Sequence, residues 1–298
     1  MLRKYNEYGI GNTPIFELPK VNNNRIILKL EMKNFLKSIK ARTAYWMIKN
    51  LPPNAKDKII VESSSGNLGY ALGYFCKEDH HKFLCLIDKS IAERKRERLR
   101  KVGIEYICVE KEDGCDLRSS RIRQANRMME SGRYYWVNQY DNPYGILAHE
   151  QTTGPEIWQQ TEGEITHCVC AMGSGGTIIG IGKYLKKMSK TIKIVGVEPF
   201  GSTIYGTIDA PYINAGTGLC GKPGNIIRNS YIVDESYTIA DRKSIDYAKE
   251  LQVKFGLNVG ISTGMAYAAA LQIAACEHNA VIMVVAPDGG EAYEQYFT

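Results

Sequence analysis

The sequence predicts an α/β protein built around largely parallel sheet. Apolar, β-branched runs of strand length alternate with amphipathic runs of helical period through most of the 298 residues, the pattern of strands joined by crossover helices. That length suffices for one large domain or for two lobes of roughly 100 to 200 residues each. No internal repeat or low-complexity linker is present, so any two lobes are joined compactly, with the chain passing between them more than once.

Strands are expected at Arg25 to Leu30, Lys58 to Val61, Phe83 to Ile87, Tyr106 to Val109, Tyr135 to Val137, His167 to Ala171, Ile192 to Val197 and Val281 to Val285. Each is a short run rich in aliphatic, cysteine or aromatic side chains. Apolar positions at helical spacing predict helices over Thr43 to Lys49, Leu68 to Cys76, Ala92 to Val102, Ser119 to Glu130, Thr177 to Lys187, Arg242 to Phe255 and Ala266 to Ala275. Within the third of these, the basic run Arg94 to Lys101 is interleaved with apolar positions and reads as a solvated helix face.

The balance of 38 Lys and Arg against 32 Asp and Glu leaves a net charge of +6, too modest to argue for a nucleic-acid or membrane partner. Met1-Leu2-Arg3-Lys4 leads directly into polar sequence, and no later run reaches about 18 uninterrupted apolar residues, so a soluble, cytoplasmic protein is expected. Cysteines at 76, 85, 108, 115, 168, 170, 220 and 276 fall mostly inside apolar runs without Cys-x-x-Cys spacing. They are expected to be reduced core residues rather than disulfides or zinc ligands. His80-His81 and Cys168-x-Cys170 carry ligand-type side chains, but the two cysteines sit inside a hydrophobic strand, and no metal is expected.

Four loops carry the chemistry. Ser63-Ser64-Ser65-Gly66-Asn67-Leu68-Gly69 follows a strand and opens a helix, where backbone N–H groups and small donors can hold an anion such as a carboxylate; a serine-rich helix cap is the alternative. Gly173-Ser174-Gly175-Gly176-Thr177 lies between a strand and a helix, and its glycines admit close approach of a phosphate. Ile178 stands at the third glycine position of a dinucleotide fingerprint, and no Gly-Lys-Ser/Thr ending is present, so a monophosphate fits better than either nucleotide class. Gly260-Ile261-Ser262-Thr263-Gly264 opens another helix, and Pro287-Asp288-Gly289-Gly290 follows a buried strand, where open α/β sheets bind ligands.

In order and approximate spacing, these loops and the segment Asn34-Phe35-Leu36-Lys37-Ser38-Ile39-Lys40-Ala41-Arg42 resemble the cysteine synthase family. These are the fold-type II pyridoxal phosphate (PLP) enzymes that include cystathionine β-synthase and the tryptophan synthase β chain. The resemblance covers nearly the whole chain, from Gly11-Asn12-Thr13-Pro14 through Asn138-Gln139-Tyr140-Asp141-Asn142-Pro143 and Thr152-Thr153-Gly154-Pro155-Glu156-Ile157. It implies a tryptophan synthase β-like PLP fold of two lobes, each with a mainly parallel sheet flanked by helices. Residues 1–38 and 146–298 would form the larger PLP-binding lobe, and residues 39–145 the smaller mobile lobe carrying the carboxylate loop. A homodimer acting on a small amino acid is implied as well.

Residue by residue, Lys40 matches the lysine that holds PLP as an internal Schiff base and later serves as acid and base at the substrate α-carbon. Asn67 matches the asparagine beside the cofactor's 3′ oxygen, and Ser64, Ser65 and Gly66 match the loop that grips the substrate carboxylate. Gly173, Ser174, Gly175, Gly176 and Thr177 match the phosphate cup. Ser262 matches the serine at the pyridine nitrogen, and Gln139 resembles a glutamine near the substrate carboxylate. A serine at the pyridine nitrogen does not enforce ring protonation, which favours expelling a β-substituent over transamination. The implied reaction is a ping-pong β-replacement on O-acetyl- or O-phosphoserine through an α-aminoacrylate.

Several positions depart from the family pattern. Phe35, Lys37 and Ala41 replace proline, glycine and aspartate around the anchor, and Leu68 replaces a threonine of the carboxylate loop. That last change is similar to the branch that joins phosphorylated serine to an amino-acid nucleophile on the way to diaminopropionate. The alternatives are therefore an amino-acid amine as nucleophile, a cysteine or serine β-lyase, or a non-catalytic homologue that binds a partner. Lys37 reads as a solvated surface lysine.

Overall fold

The computed structural model describes residues 2–64, 66–89, 91, 93–113, 117–214 and 216–297. The short helix α1 (Leu2–Glu7) and strands β1 (Ile15–Glu17) and β2 (Arg25–Leu30) precede α2 (Lys40–Lys49). Then β3 (Ile59–Ser63), α3 (Asn67–Glu78), β4 (Phe83–Asp88), α4 (Glu93–Lys101), β5 (Glu105–Val109), α5 (Leu117–Glu130) and β6 (Tyr134–Trp136) alternate. Helices α6 (Pro143–Ala148) and α7 (Gly154–Gln160) run into one another through a π-helical turn, His149–Thr153. They lead to β7 (His167–Ala171), α8 (Gly176–Met188), β8 (Lys193–Pro199), α9 (Gly224–Ile227), β9 (Glu235–Ile239), α10 (Asp241–Phe255), α11 (Ile261–Cys276) and β10 (Val281–Ala286).

Among the described residues the strands form a six-stranded sheet, ordered β1-β2-β10-β7-β8-β9, and a four-stranded sheet, ordered β5-β4-β3-β6. Of these pairings, β1–β2 alone is antiparallel. The smaller sheet takes strands that are consecutive in sequence, whereas the larger one draws on both ends of the chain. The chain therefore leaves the larger sheet after β2 and returns to it at β7.

The central strand β10 is buried along its whole length, as a parallel strand covered on both faces must be. Helix α11 is apolar nearly all round and buried along most of its length, packed with β7, β8 and β10. The expected strands and helices are all present, with ends shifted by a few residues. Two further strands, β1 and β9, leave no mark in the apolar pattern. β1 is three residues long, and β9 is a half-exposed edge strand whose sequence Glu-Ser-Tyr-Thr-Ile carries little hydrophobicity.

The cysteine expectation needs correction. Cys76, Cys85, Cys168 and Cys170 are buried, but Cys108, Cys220 and Cys276 are exposed, because they lie where edge strands, loops and helix ends meet solvent. Cys115 lies outside the described residues. Among the described residues no helix is long and apolar enough to cross a membrane, and no group of His, Cys, Asp and Glu could hold a metal ion.

Candidate active site

The loops singled out in the sequence all follow the C-terminal ends of strands or open the helices beyond them, and the turn after β10 gathers three of them. Ile39 N–H donates to Pro287 O at 2.9 Å, and Ser38 pairs with Asp288 as an isolated β-bridge. This fixes Lys40, the first residue of α2, beside that turn. Asn67 Nδ2 donates to Asp288 Oδ2 at 2.8 Å, and Gly260 N–H donates to Asp288 O at 3.0 Å. Ser262, buried in the first turn of α11, is thereby brought to the same place.

The serine-rich loop of residues 63–69, expected to hold a carboxylate, is organised from within. Ser64 Oγ accepts the Gly69 N–H at 3.1 Å, while Gly66 caps α3 and is exposed. Ser65 lies outside the described residues. Gln139 Nε2 donates to Ser63 O at 3.3 Å, and the Gln139 backbone carbonyl accepts from Asn225 Nδ2 at 2.9 Å. The same amide nitrogen of Asn225 donates to Ser174 O at 3.0 Å, tying the carboxylate loop to the glycine loop.

In the glycine loop, Gly175 has φ +85° and caps the 13-residue helix α8, a left-handed geometry that suits glycine. Gly176 and Thr177 occupy the first turn, where backbone N–H groups lack helical acceptors and the dipole favours an anion. Thr177 Oγ1 lies 3.3 Å from His149 Nε2, and Thr43 Oγ1 of α2 lies 3.1 Å from the same nitrogen. The contacts thus run from Asp288, beside Lys40, to Asn67, from Ser63 at the other end of that serine loop through Gln139, Asn225 and Ser174 to the glycine loop, and from Thr177 through His149 to Thr43 of α2.

Lys40 has no hydrogen-bond or ion-pair partner among the described residues. Burial lowers its pKa, with the Asp288 carboxylate opposing the shift. His149 is held well below the ordinary imidazole value by burial, then by the charges of Arg42 and Lys40, so it is neutral. Glu62 lies fully buried beneath the carboxylate loop. It accepts N–H bonds from Ser63 at 2.8 Å and Gln139 at 3.2 Å, and burial pushes its pKa up to about 7.

Sequence reasoning missed His149, Asn225 and Glu62, which lie outside the loop motifs, and it misread Arg98. The α4 run is not wholly a solvated face. Arg98 Nη1 donates to Asn67 Oδ1 at 3.0 Å, Nη2 donates to Leu36 O at 3.4 Å, and the guanidinium lies 3.9 Å from the Tyr70 ring centroid. The flat aromatic face and the two oxygens give a guanidinium a better environment than water at that one position. Lys37 is exposed, with φ +60°.

The family segments that do not reach this site have another task. Arg42 donates to Glu31 Oε1 at 2.8 Å and to Glu156 Oε1 at 2.6 Å, and Lys29 Nζ donates to Glu156 Oε2 at 2.7 Å. Thr13 Oγ1 donates to Glu31 Oε1 at 2.7 Å, and Asn34 Nδ2 donates to Glu31 Oε2 at 2.7 Å. The segments around Thr13, Asn34 to Arg42 and Glu156 are thus joined by one buried ionic network.

Comparison with known proteins agrees with this geometry. The family described as "Pyridoxal-phosphate dependent enzyme" matches residues 7–288. Cysteine synthase B of Escherichia coli (strain K12) is 36% identical over 297 residues, spanning 96% of this chain and 93% of that protein. A solved cysteine synthase from Entamoeba histolytica superposes with a TM-score of 0.87 at 30% identity, over 96% of this chain and 87% of that one. The O-acetylserine dependent cystathionine β-synthase from Helicobacter pylori gives a TM-score of 0.87 at 29% identity, over 96% and 95%. Sheet order, loop placement and identity along nearly the full length lead to one assignment: the chain belongs to the pyridoxal-phosphate dependent enzyme family and is similar throughout to its cysteine synthases.

Proposed function

We propose that this PLP-dependent enzyme performs β-replacement on an L-serine activated at its β-oxygen, with an added nucleophile taking the place of the leaving group. The observation that carries the reading is the half-buried, desolvated Lys40 amine, unpartnered among the described residues and set among these loops. The residues present fit the cofactor. The glycine loop offers donors at a helix start, and a Cβ on Gly175, which has φ +85°, would stand 2.6 Å from Ile226 Cγ1, so the tight turn that opens these donors needs glycine there.

Bound PLP makes the α-proton of an amino acid removable by spreading the resulting charge into its ring. Lys40 anchors the cofactor and moves the proton at the α-carbon; burial lowers its pKa, which favours the neutral amine that this role needs. Ser64, Ser65, Gly66 and Asn67, with Gln139, hold the substrate carboxylate at the start of α3. Gly173 to Thr177 hold the phosphate, and Ser262 meets the ring nitrogen with a neutral hydroxyl. Residues 39–145 act as the smaller lobe that closes on residues 1–38 and 146–298. In support, side chains rather than sheet pairing cross between the two sheets, as with Asn67 to Asp288 and Arg118 to Gly218 O.

Arg98 favours a more specific version, in which the leaving group or the nucleophile is anionic. A guanidinium bonded to Asn67 brings fixed positive charge to the carboxylate loop, as the phosphate of O-phosphoserine or the carboxylates of an amino-acid nucleophile would require. The test is product formation from O-acetylserine, O-phosphoserine and cysteine, each with sulfide, glutamate or buffer alone. A β-substituted product from an activated serine is expected. PLP-loaded protein that forms no such product with any nucleophile would overturn β-replacement, and release of pyruvate alone would make it a lyase.

A further inference from the structure

Glu62, next to last in β3, is wholly buried, and its carboxylate collects three N–H bonds but forms no ion pair among the described residues. Oε1 accepts from Ser63 N–H at 2.8 Å and from Trp136 Nε1 at 3.3 Å, while Oε2 accepts from Gln139 N–H at 3.2 Å. The donors come from both sides of one seam. Strands β3 and β6 pair in parallel with Val61 beside Trp136, so the loops that follow the two strands start side by side. Arg121, whose charge reaches Cys85 and Tyr140 as that of Glu62 does, is paired with Asp88 at 3.0 Å.

A buried carboxylate without a counter-ion is costly, and what this one fastens is the turn that carries Gln139. Asn138 has φ +52°, in the left-handed region, and the N–H that follows it meets Glu62. Gln139 Nε2 donates to Ser63 O at 3.3 Å, the orientation its amide must take, since the amide oxygen would face another oxygen. Glu62 therefore fixes the main chain of Gln139, and Ser63, whose own N–H it also holds, fixes the side chain. A neutral amide at position 62 could not accept all three bonds. With its oxygen at the site that has two donors, its NH2 would face the Gln139 N–H, donor against donor.

Resting on the assignment of residues 64–67 and Gln139 to the substrate carboxylate, we infer that Glu62 is a positioning residue for that carboxylate, acting through Gln139. It locks the glutamine to the end of β3, so that the serine loop and the glutamine meet the substrate as one rigid surface.

The experiment titrates PLP-loaded protein with L-serine and with L-serinamide, which lacks the carboxylate, in wild type, Glu62→Gln, Gln139→Leu and the double variant. Cofactor absorbance reports binding, at a pH well above the Glu62 pKa of about 7 so that the wild-type carboxylate is charged. Glu62→Gln should weaken L-serine about tenfold, the scale of one hydrogen bond to a charged group, and leave L-serinamide and the absorbance of the unliganded cofactor unchanged. The double variant should bind L-serine no more weakly than Gln139→Leu alone. Equal weakening of L-serinamide, additive losses, or wild-type or tighter binding of L-serine to Glu62→Gln while Gln139→Leu is weakened would overturn the role of Glu62. Wild-type affinity in Gln139→Leu would instead overturn the assignment of Gln139 to the carboxylate, and this inference with it, while leaving β-replacement standing. Wild type that binds no L-serine would overturn the substrate reading itself. Should Glu62→Gln not fold, amide hydrogen exchange in PLP-loaded wild type decides. The Gln139 N–H is expected to be protected, and more so with L-serine than with L-serinamide; exchange as fast as in an open loop, or equal slowing by both ligands, overturns the inference.

Discussion

Lys40 and Arg42 lie in the same turn of α2, yet they meet opposite surroundings. Arg42 is wholly buried and donates to Glu31, Glu156, Thr13 and Tyr5, and with Lys29 it forms a network in which two cations face two carboxylates. Lys40 faces the ring of loops without an ion-pair partner among the described residues. The carboxylates divide the same way. Arg42 holds buried Glu31 below its ordinary pKa, whereas buried Glu62, with only N–H donors around it, is pushed up to about 7. Compensated charge fixes the frame, and uncompensated charge is left poised for proton transfer.

The largest effect that separates the two regions is expected from Lys40→Ala. Turnover should fall on the order of a thousandfold or more, and borohydride should no longer fix PLP on the chain. Urea unfolding of the cofactor-free variant should show stability unchanged or raised, because a desolvated amine has been removed. A loss as large as that of the Arg42 variant would break the comparison. Arg42→Ala should cost about 3–5 kcal/mol, since it strands buried carboxylates; a urea midpoint close to wild type would show that the network does not hold the frame.

Glu62 sharpens the contrast through pH. Its folded pKa of about 7 stands above the ordinary 4.5. Below the lower value both folded and unfolded chains carry the proton, and between the two values the unfolded chain loses it first. The contribution of Glu62 therefore falls as pH rises through that window, by on the order of 3 kcal/mol, and is constant above it. Glu62→Gln should flatten this slope in denaturant titrations, and an unchanged slope would remove Glu62 from the uncompensated class. The smallest effect is at Arg98. Arg98→Met should raise KM for an anionic substrate by about tenfold, roughly 1.4 kcal/mol, and affect an acetylated one less; equal changes would mean that Arg98 only packs on Tyr70.

Much of the fold and of the site is legible in the amino-acid sequence. The strand and helix alternation locates the parallel elements, because parallel strands must be apolar on both faces and their crossovers amphipathic. The glycine and serine loops stand out by composition as candidate anion sites, and Lys40 through the segment around it. Arg98 cannot be found in the same way, because a basic helix run looks solvated until a neighbouring aromatic ring and two oxygens are brought beside one of its members. His149 carries no signal either. A buried histidine is ordinary until three hydroxyls from separate elements meet its ring.

The sequence by itself determined the order of the longer strands and helices and the family, and it marked Lys40 as the candidate anchor, since these depend on local pattern and on motifs contiguous in the chain. Only the tertiary structure decided which charges are compensated. Thr13, Lys29, Arg42 and Glu156 are far apart in sequence and meet because β2, α2 and α7 pack together, whereas Lys40 on the same helix is turned toward loops that form no ion pair with it among the described residues. A hydrogen-bonded ion pair needs its two charged groups within about 4 Å of each other, so it is settled by packing rather than by position along the chain.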